Sequence, residues 1–328
     1  MALRNILQNL PEVKAPAEKK LSFNVKLKWT LIILIAFFVL SNIPLYGISG
    51  DSLSNFEYLA ILLGTSFGSI ISLGIGPIVM ASIILQLLVG AQILNLDLTT
   101  PEGKKFHGAL QKLLTFAFVL FEALVYVLMR GIEANEGFVT LVIFQMVLGG
   151  ILIVFMDEVV QKWGFGSGVS LFIGAGIGWR LFSELFQFLG TQGTFEASGK
   201  VLALVASIIA GDGTGVMLAV VPIIITVILF FAVVFAQSLK VEIPLAYDRI
   251  RGFSAKWPLP FFYAGVMPVI LVSALAANIQ LFASLLQSWL GYATFLGGFV
   301  DGTPVSGLAF WIHSTTILNV IITGSFRW

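Results

Sequence analysis

The sequence has no cysteine, which rules out disulfides and thiolate-bound metal and leaves the redox compartment open. Histidine is nearly missing as well: His107 and His313 are the only two. The orientation derived below puts them on opposite sides of a membrane, so they form neither a metal-binding pair nor a convincing serine–histidine dyad. GFGSGVS (164–170) does not follow the G-x-S-x-G nucleophile turn. Phosphate-binding loops and metal-ligand spacings do not occur either. The sequence therefore points away from enzymes, with no catalytic, cofactor-binding or metal-binding residue expected. Charge is scarce: 11% of the 328 residues are Asp, Glu, Lys or Arg, against 58% hydrophobic residues and a mean hydropathy of +1.00. No single water-soluble core can bury that much apolar surface, so lipid must act as solvent.

Stretches of about 20 apolar residues are long enough to cross the roughly 30 Å hydrocarbon layer as helices. Seven such stretches are expected, near 29–46, 76–95, 109–129, 138–156, 169–188, 217–237 and 259–289. The fold class is all-α, a polytopic membrane protein. With a cytoplasmic N terminus, 14 of the 18 basic residues fall on the cytoplasmic side, in keeping with the positive-inside rule. The charged head before the first span contains Pro11 and Pro16 and does not read as a cleavable signal peptide. Its leading LRNILQNL (3–10) has the leucine spacing of an amphipathic helix lying on the membrane surface.

Turn-rich GTQGTFEASGK (190–200) and AGDGTG (210–215) flank the mostly apolar stretch 201–209, too short to span and expected as an external hairpin or re-entrant piece. This divides the chain into an N-terminal half, 1–200, and a second half, 201–328. GIGPIVMAS (74–82) and GVMPVILVS (265–273) share one pattern of Gly, Pro, aliphatic residues and Ser. By helix count the two run in opposite directions, as inverted repeats require. Gly74, Gly76 and Pro77 interrupt the first of these stretches. That break is either a Pro-kinked spanning helix or a segment folded back into a cavity after the short helix within FEYLAILLGTSFGSI (56–70). Secondary transporters also use inverted repeats and broken helices, but they place polar groups at the midplane. Here the breaks are followed by Ile78, Val79, Val269 and Ile270.

LGIGPIVMASIILQLLVG (73–90), TPEGKKFHGALQKLL (100–114), DEVVQKWGFGSGVSLFIGAG (157–176), VEIPLAYDRIRG (241–252) and MPVILVSALAANIQLF (267–282) resemble, in this order, the SecY/Sec61 alpha family of protein-conducting channel subunits in its archaeal form. The resemblance implies two inverted halves around an hourglass pore with a lateral opening to lipid. It assigns the pore ring to Ile75, Val79, Val169, Ile173 and Ile270. It places the plug at about 55–70, with Phe56, Leu59, Leu62, Leu63 and Phe67, and the lateral gate at Met80, Glu122 and Asn278. Met80 stands where related sequences often carry a polar residue. Arg249, Arg251 and Lys256 fall in the loop that reaches the ribosome. Implied partners are SecE/Sec61 gamma-like and Sec beta-like small membrane subunits, the ribosome, signal sequences, nascent polypeptides and the lipid bilayer. The implied site is the plasma membrane, or the endoplasmic reticulum in a eukaryote. Against the family's ten helices, the sequence to Trp328 accounts for seven, leaving the last three without a counterpart.

Overall fold

The computed structural model of the protein describes residues 10–18, 20–48, 68–129, 131–187, 199–245, 255–260, 266–300 and 303–312. In chain order the elements are α1 (Phe23–Ser41), α2 (Gly76–Gly90), α3 (Pro101–Leu128), α4 (Val139–Trp163), α5 (Gly168–Phe186), α6 (Lys200–Ala210), α7 (Gly213–Ser238), β1 (Lys240–Leu245), β2 (Ala255–Pro260), α8 (Val266–Leu290), β3 (Gly298–Val300), β4 (Thr303–Ser306) and α9 (Gly307–Ile312). The surface helix expected over 3–10 lies outside the described residues except for Leu10. The fold is that of a helical, multi-pass membrane protein. By length and composition α1, α3, α4, α5 and α7 can each cross a membrane.

Several boundaries differ from the sequence reading, each for a local reason. The span expected over 76–95 is a helix of only 15 residues, about 22 Å long at 1.5 Å per residue. It stops at Gly90, and Gln92 beyond it takes a left-handed φ of 57°. The helix expected from 109 starts at Pro101, where Thr100 Oγ1 accepts the N–H of Gly103 at 3.1 Å and Glu102 lies in the first turn; these are the marks of a helix N-terminus. Charged residues end the apolar run of α4 at 156 but not the helix, because its last turns carry side chains that bond to neighbours. At the start of the stretch expected over 259–289, Leu259 and Pro260 belong to β2 and pair with Val241 and Lys240. Pro244, Pro258 and Pro260 are tolerated in this hairpin because both of its strands are edges.

The chain divides into two compact units, one of residues 1–177 with 271–328, the other of residues 178–270. These units differ from the halves at 1–200 and 201–328, since compactness and inverted repetition are different divisions of a chain. In the second unit α6 packs against α7. With 11 residues, α6 is indeed too short to span. The exposed Met217, Leu218, Phe230, Phe231 and Phe235 of α7 suit contact with lipid.

The first unit is built around the break in the sequence. Pro77 lies in the first turn of α2, so the break is a helix start and not a kink. Residues 68–75 form turns, closed by Ser72 N–H to Ser69 O at 3.0 Å and Gly74 N–H to Ile71 O at 2.9 Å. Gly74 has φ 55°, which a side chain would disfavour. Ile71, Ser72, Leu73 and Ile75 are fully buried. Non-helical backbone is tolerated at membrane depth only in such protein surroundings. One edge is held by Leu45 N–H to Gly68 O at 2.8 Å and Ile70 N–H to Ile43 O at 3.0 Å. On another side Ile70 O presses on α4 at Gly149, where a Cβ would lie 1.8 Å from that oxygen.

Gly149→Val should displace the 68–75 turns and destabilise the unit by about 1–3 kcal/mol, the usual cost of overpacking. Thermal unfolding in detergent should show a lowered midpoint; an unchanged midpoint would contradict this packing.

Candidate functional site

Three helices of the first unit bring polar and apolar chemistry together at Gly76. Glu122 of α3 and Asn278 of α8 are both fully buried. From the position a Cβ on Gly76 would take, Glu122 Oε2 is 3.0 Å away, Asn278 Oδ1 3.6 Å and Glu122 Oε1 3.7 Å. The missing side chain thus leaves a recess at the start of α2 into which both groups reach. Among the described residues no hydrogen bond reaches the polar atoms of Glu122 or Asn278. Burying a polar group without a bond costs about 1–3 kcal/mol. The amino end of α2 offsets part of that for Glu122, since a helix N-terminus carries a partial positive charge. Ile75, Val79, Ala123, Ala277 and Leu281 flank these residues in sequence and are all buried.

The seam between α3 and α8 extends from this junction. The rings of Phe121 and Phe282 have centroids 6.0 Å apart. Asn278, Phe282 and Leu285 share one face of α8 at helical spacing, and Leu285 packs where a Cβ on Gly131 would stand. A second polar tie joins α2 to α3, with Gln111 Nε2 donating to Ser82 Oγ at 2.6 Å. Met80 is half-buried one helical turn beyond Gly76. Of the three residues assigned to the lateral gate, Glu122 and Asn278 are therefore brought to one point, with Met80 a turn away.

Of the ring residues, Ile75, Val79, Val169 and Ile173 are buried in the first unit. Ile270 belongs to the second, and its side chain lies outside the described residues. The plug residues Phe56, Leu59, Leu62, Leu63 and Phe67, the loop residues Arg249 and Arg251, and the side chain of Lys256 also lie outside them.

Sequence reasoning missed a charged cluster that joins the first half of α3 to the last turns of α4. Lys112 Nζ contacts Glu158 Oε2 at 2.6 Å, and Lys162 Nζ contacts Glu158 Oε1 at 2.9 Å. The extended chain at 11–14 is strapped across both helices. Val13 N–H donates to Glu158 Oε1 at 3.2 Å, Lys162 Nζ to Val13 O at 2.6 Å and Trp163 Nε1 to Lys14 O at 2.9 Å. This cluster lines a cavity of about 1000 Å³ together with Lys104, Lys105 and Asp157. Asp97 lies on its rim, its carboxyl held below the ordinary value by hydrogen bonds from the Thr99 hydroxyl and backbone N–H. Among the described residues no group of acidic or histidine side chains is placed to hold a metal ion.

A short helix that starts from buried turns and packs among spanning helices, with a buried polar pair closed on its start, defines a polytopic membrane protein with non-helical backbone held inside its bundle. The SecY family matches residues 69–328, and the plug domain of Sec61p matches residues 35–68. The protein translocase subunit SecY of Methanothermobacter thermautotrophicus is 45% identical over 325 residues, covering 97% of this chain and 70% of the relative. Among solved structures, one described as a protein conducting channel superposes with a TM-score of 0.80 at 36% identity, covering 97% of this chain and 72% of that one. Sec61 in the canine ribosome-channel complex from the endoplasmic reticulum gives 0.78 at 36% identity with the same coverage. The chain belongs to the SecY family.

The natural lack of cysteine makes engineered pairs unambiguous. Phe121→Cys with Phe282→Cys should cross-link α3 to α8 readily, and adding Gly76→Val should slow the reaction severalfold. The added side chain displaces Glu122 at an overpacking cost of about 1–3 kcal/mol. Equal rates with and without Gly76→Val would contradict the junction.

Proposed function

We propose that this chain forms the pore of a Sec protein-conducting channel, passing unfolded polypeptides across the membrane and releasing spanning segments sideways into lipid. The observation that carries this reading is the meeting of Glu122 and Asn278 at Gly76, because it joins a buried polar pair to the helix that bears Ile75 and Val79. Ile75, Val79, Val169, Ile173 and Ile270 make the narrow waist. Branched aliphatic side chains offer a passing peptide no specific hydrogen bond, so any sequence can slide through. An apolar throat also excludes water and ions by dewetting. Phe56, Leu59, Leu62, Leu63 and Phe67 belong to the plug that seals the external side at rest.

The gate opens between α3 and α8, with Met80, Glu122 and Asn278 at its edge. Separating these helices exposes the waist to lipid. A segment then leaves only if it gains by doing so, as an apolar helix does and a polar chain does not. The chain performs no bond chemistry, and the driving energy comes from a partner. The ribosome is that partner, with Arg249, Arg251 and Lys256 pairing with RNA phosphates through a salt-sensitive, sequence-independent contact. SecE/Sec61 gamma-like and Sec beta-like subunits complete the assembly. The N terminus faces the cytoplasm, and the host membrane is the plasma membrane, or the endoplasmic reticulum in a eukaryote. The inverted halves divide near residue 200.

Ile75→Asn and Val79→Asn in the assembled channel should raise resting ion conductance severalfold in planar bilayers, because an amide wets the throat. Unchanged resting conductance would remove these residues from the waist.

A further inference from the structure

Asp157 plays no part in the function proposed above, yet it is among the most enclosed charged groups of the first unit, 7% exposed near the end of α4. Its carboxylate is not paired with a cation among the described residues. Asp157 Oδ1 accepts the backbone N–H of Val169 at 3.1 Å, and Oδ2 accepts Gln161 Nε2 at 2.7 Å. Val169 is the second residue of α5, whose leading N–H groups have no acceptor within their own helix. The neighbouring Gly168 is held tightly against α4: a Cβ there would lie 2.6 Å from Asp157 Cα and 2.7 Å from Asp157 Oδ1. The local alternative cap, Ser167 Oγ, reaches Ser170 N–H only at 3.5 Å. An anionic acceptor at a helix N-terminus is favoured both by the hydrogen bond and by the helix dipole.

This cap comes from another helix, so it does more than terminate α5. It fixes how far α5 can slide or turn against α4. Val169 hangs directly on the bond, and Ile173 lies one turn further on the same face. We propose that Asp157 is a positioning residue of the waist, setting the depth at which α5 presents Val169 and Ile173. The proposal rests on the assignment of those two residues to the ring. Gln161 holds the second carboxylate oxygen and thereby aims the first.

The test uses the assembled channel in planar bilayers, with Val169→Asn and Ile173→Asn as controls for the ring itself. Asp157→Ala removes the acceptor and should raise resting conductance about fivefold, the scale on which losing one N-cap shifts an equilibrium. Asp157→Asn keeps a carbonyl oxygen and should fall between wild type and Ala. Where the Ala variant fails to assemble, Asp157→Glu decides, since its longer arm keeps the charge but moves the cap, and a leak is again expected. A second readout is cross-linking of Ile173→Cys to a stalled nascent chain, which should weaken when Asp157 is changed. A lowered thermal midpoint with conductance and cross-linking unchanged would make Asp157 a merely structural cap and overturn the proposal. If the ring controls leak while no Asp157 variant does, the positioning role fails and the ring stands. If the controls do not leak, the ring assignment falls and this inference falls with it.

Discussion

A carboxyl group and a carboxamide have been taken wholly out of water and turned onto the backbone of a glycine. Groups of that kind are costly in an apolar interior unless the surrounding structure is arranged to receive them. The arrangement here is the absent side chain of Gly76, the amino end of α2 and the approach of α3 and α8 from two sides. Much of the rest of the unit follows from supporting that point. The turns of 68–75 must be buried to be stable at membrane depth, so Gly149 lets Ile70 press onto α4. The rigid start of α2 then carries Ile75 just before the junction and Val79 one turn beyond Ile75.

That neighbourhood ties two tasks together. Ile75 and Val79, proposed for the waist, and Met80, proposed for the gate, lie at or within the same short helix, whose start also receives Glu122 of α3 and Asn278 of α8. Elsewhere in the unit the cluster of Lys112, Glu158 and Lys162 ties the first half of α3 to the last turns of α4 and to the strap at 11–14.

The class of fold was legible in composition and apolar run length alone, and the break at 74–77 was legible from Gly and Pro. Glu122 stood out as an ionisable residue within an apolar span. What sequence could not show was that Gly76 receives Glu122 and Asn278, because three helices distant in the chain must meet before that contact exists. Asp157 was hidden for a similar reason. It follows an apolar run and reads as the polar end of a helix, whereas its bond goes to another helix twelve residues on. The β1–β2 hairpin escaped notice because Pro244, Pro258 and Pro260 argue against strands, a rule that relaxes when each strand is an edge. Helix ends were misplaced where charged residues stopped the apolar pattern before the helix itself ended, as at Asp157–Trp163 of α4.

The central claim is that Glu122 and Asn278 act as one unit on Gly76 to hold the gate shut. A double-mutant cycle with Glu122→Ala and Asn278→Ala, read as the frequency of spontaneous channel opening in the assembled complex, tests it directly. Groups that share one contact show coupling of about 0.5–3 kcal/mol, so the double variant should open far less often than the two single effects combined would give. Strictly additive effects would mean that the two side chains act independently, and the junction would not be the gate.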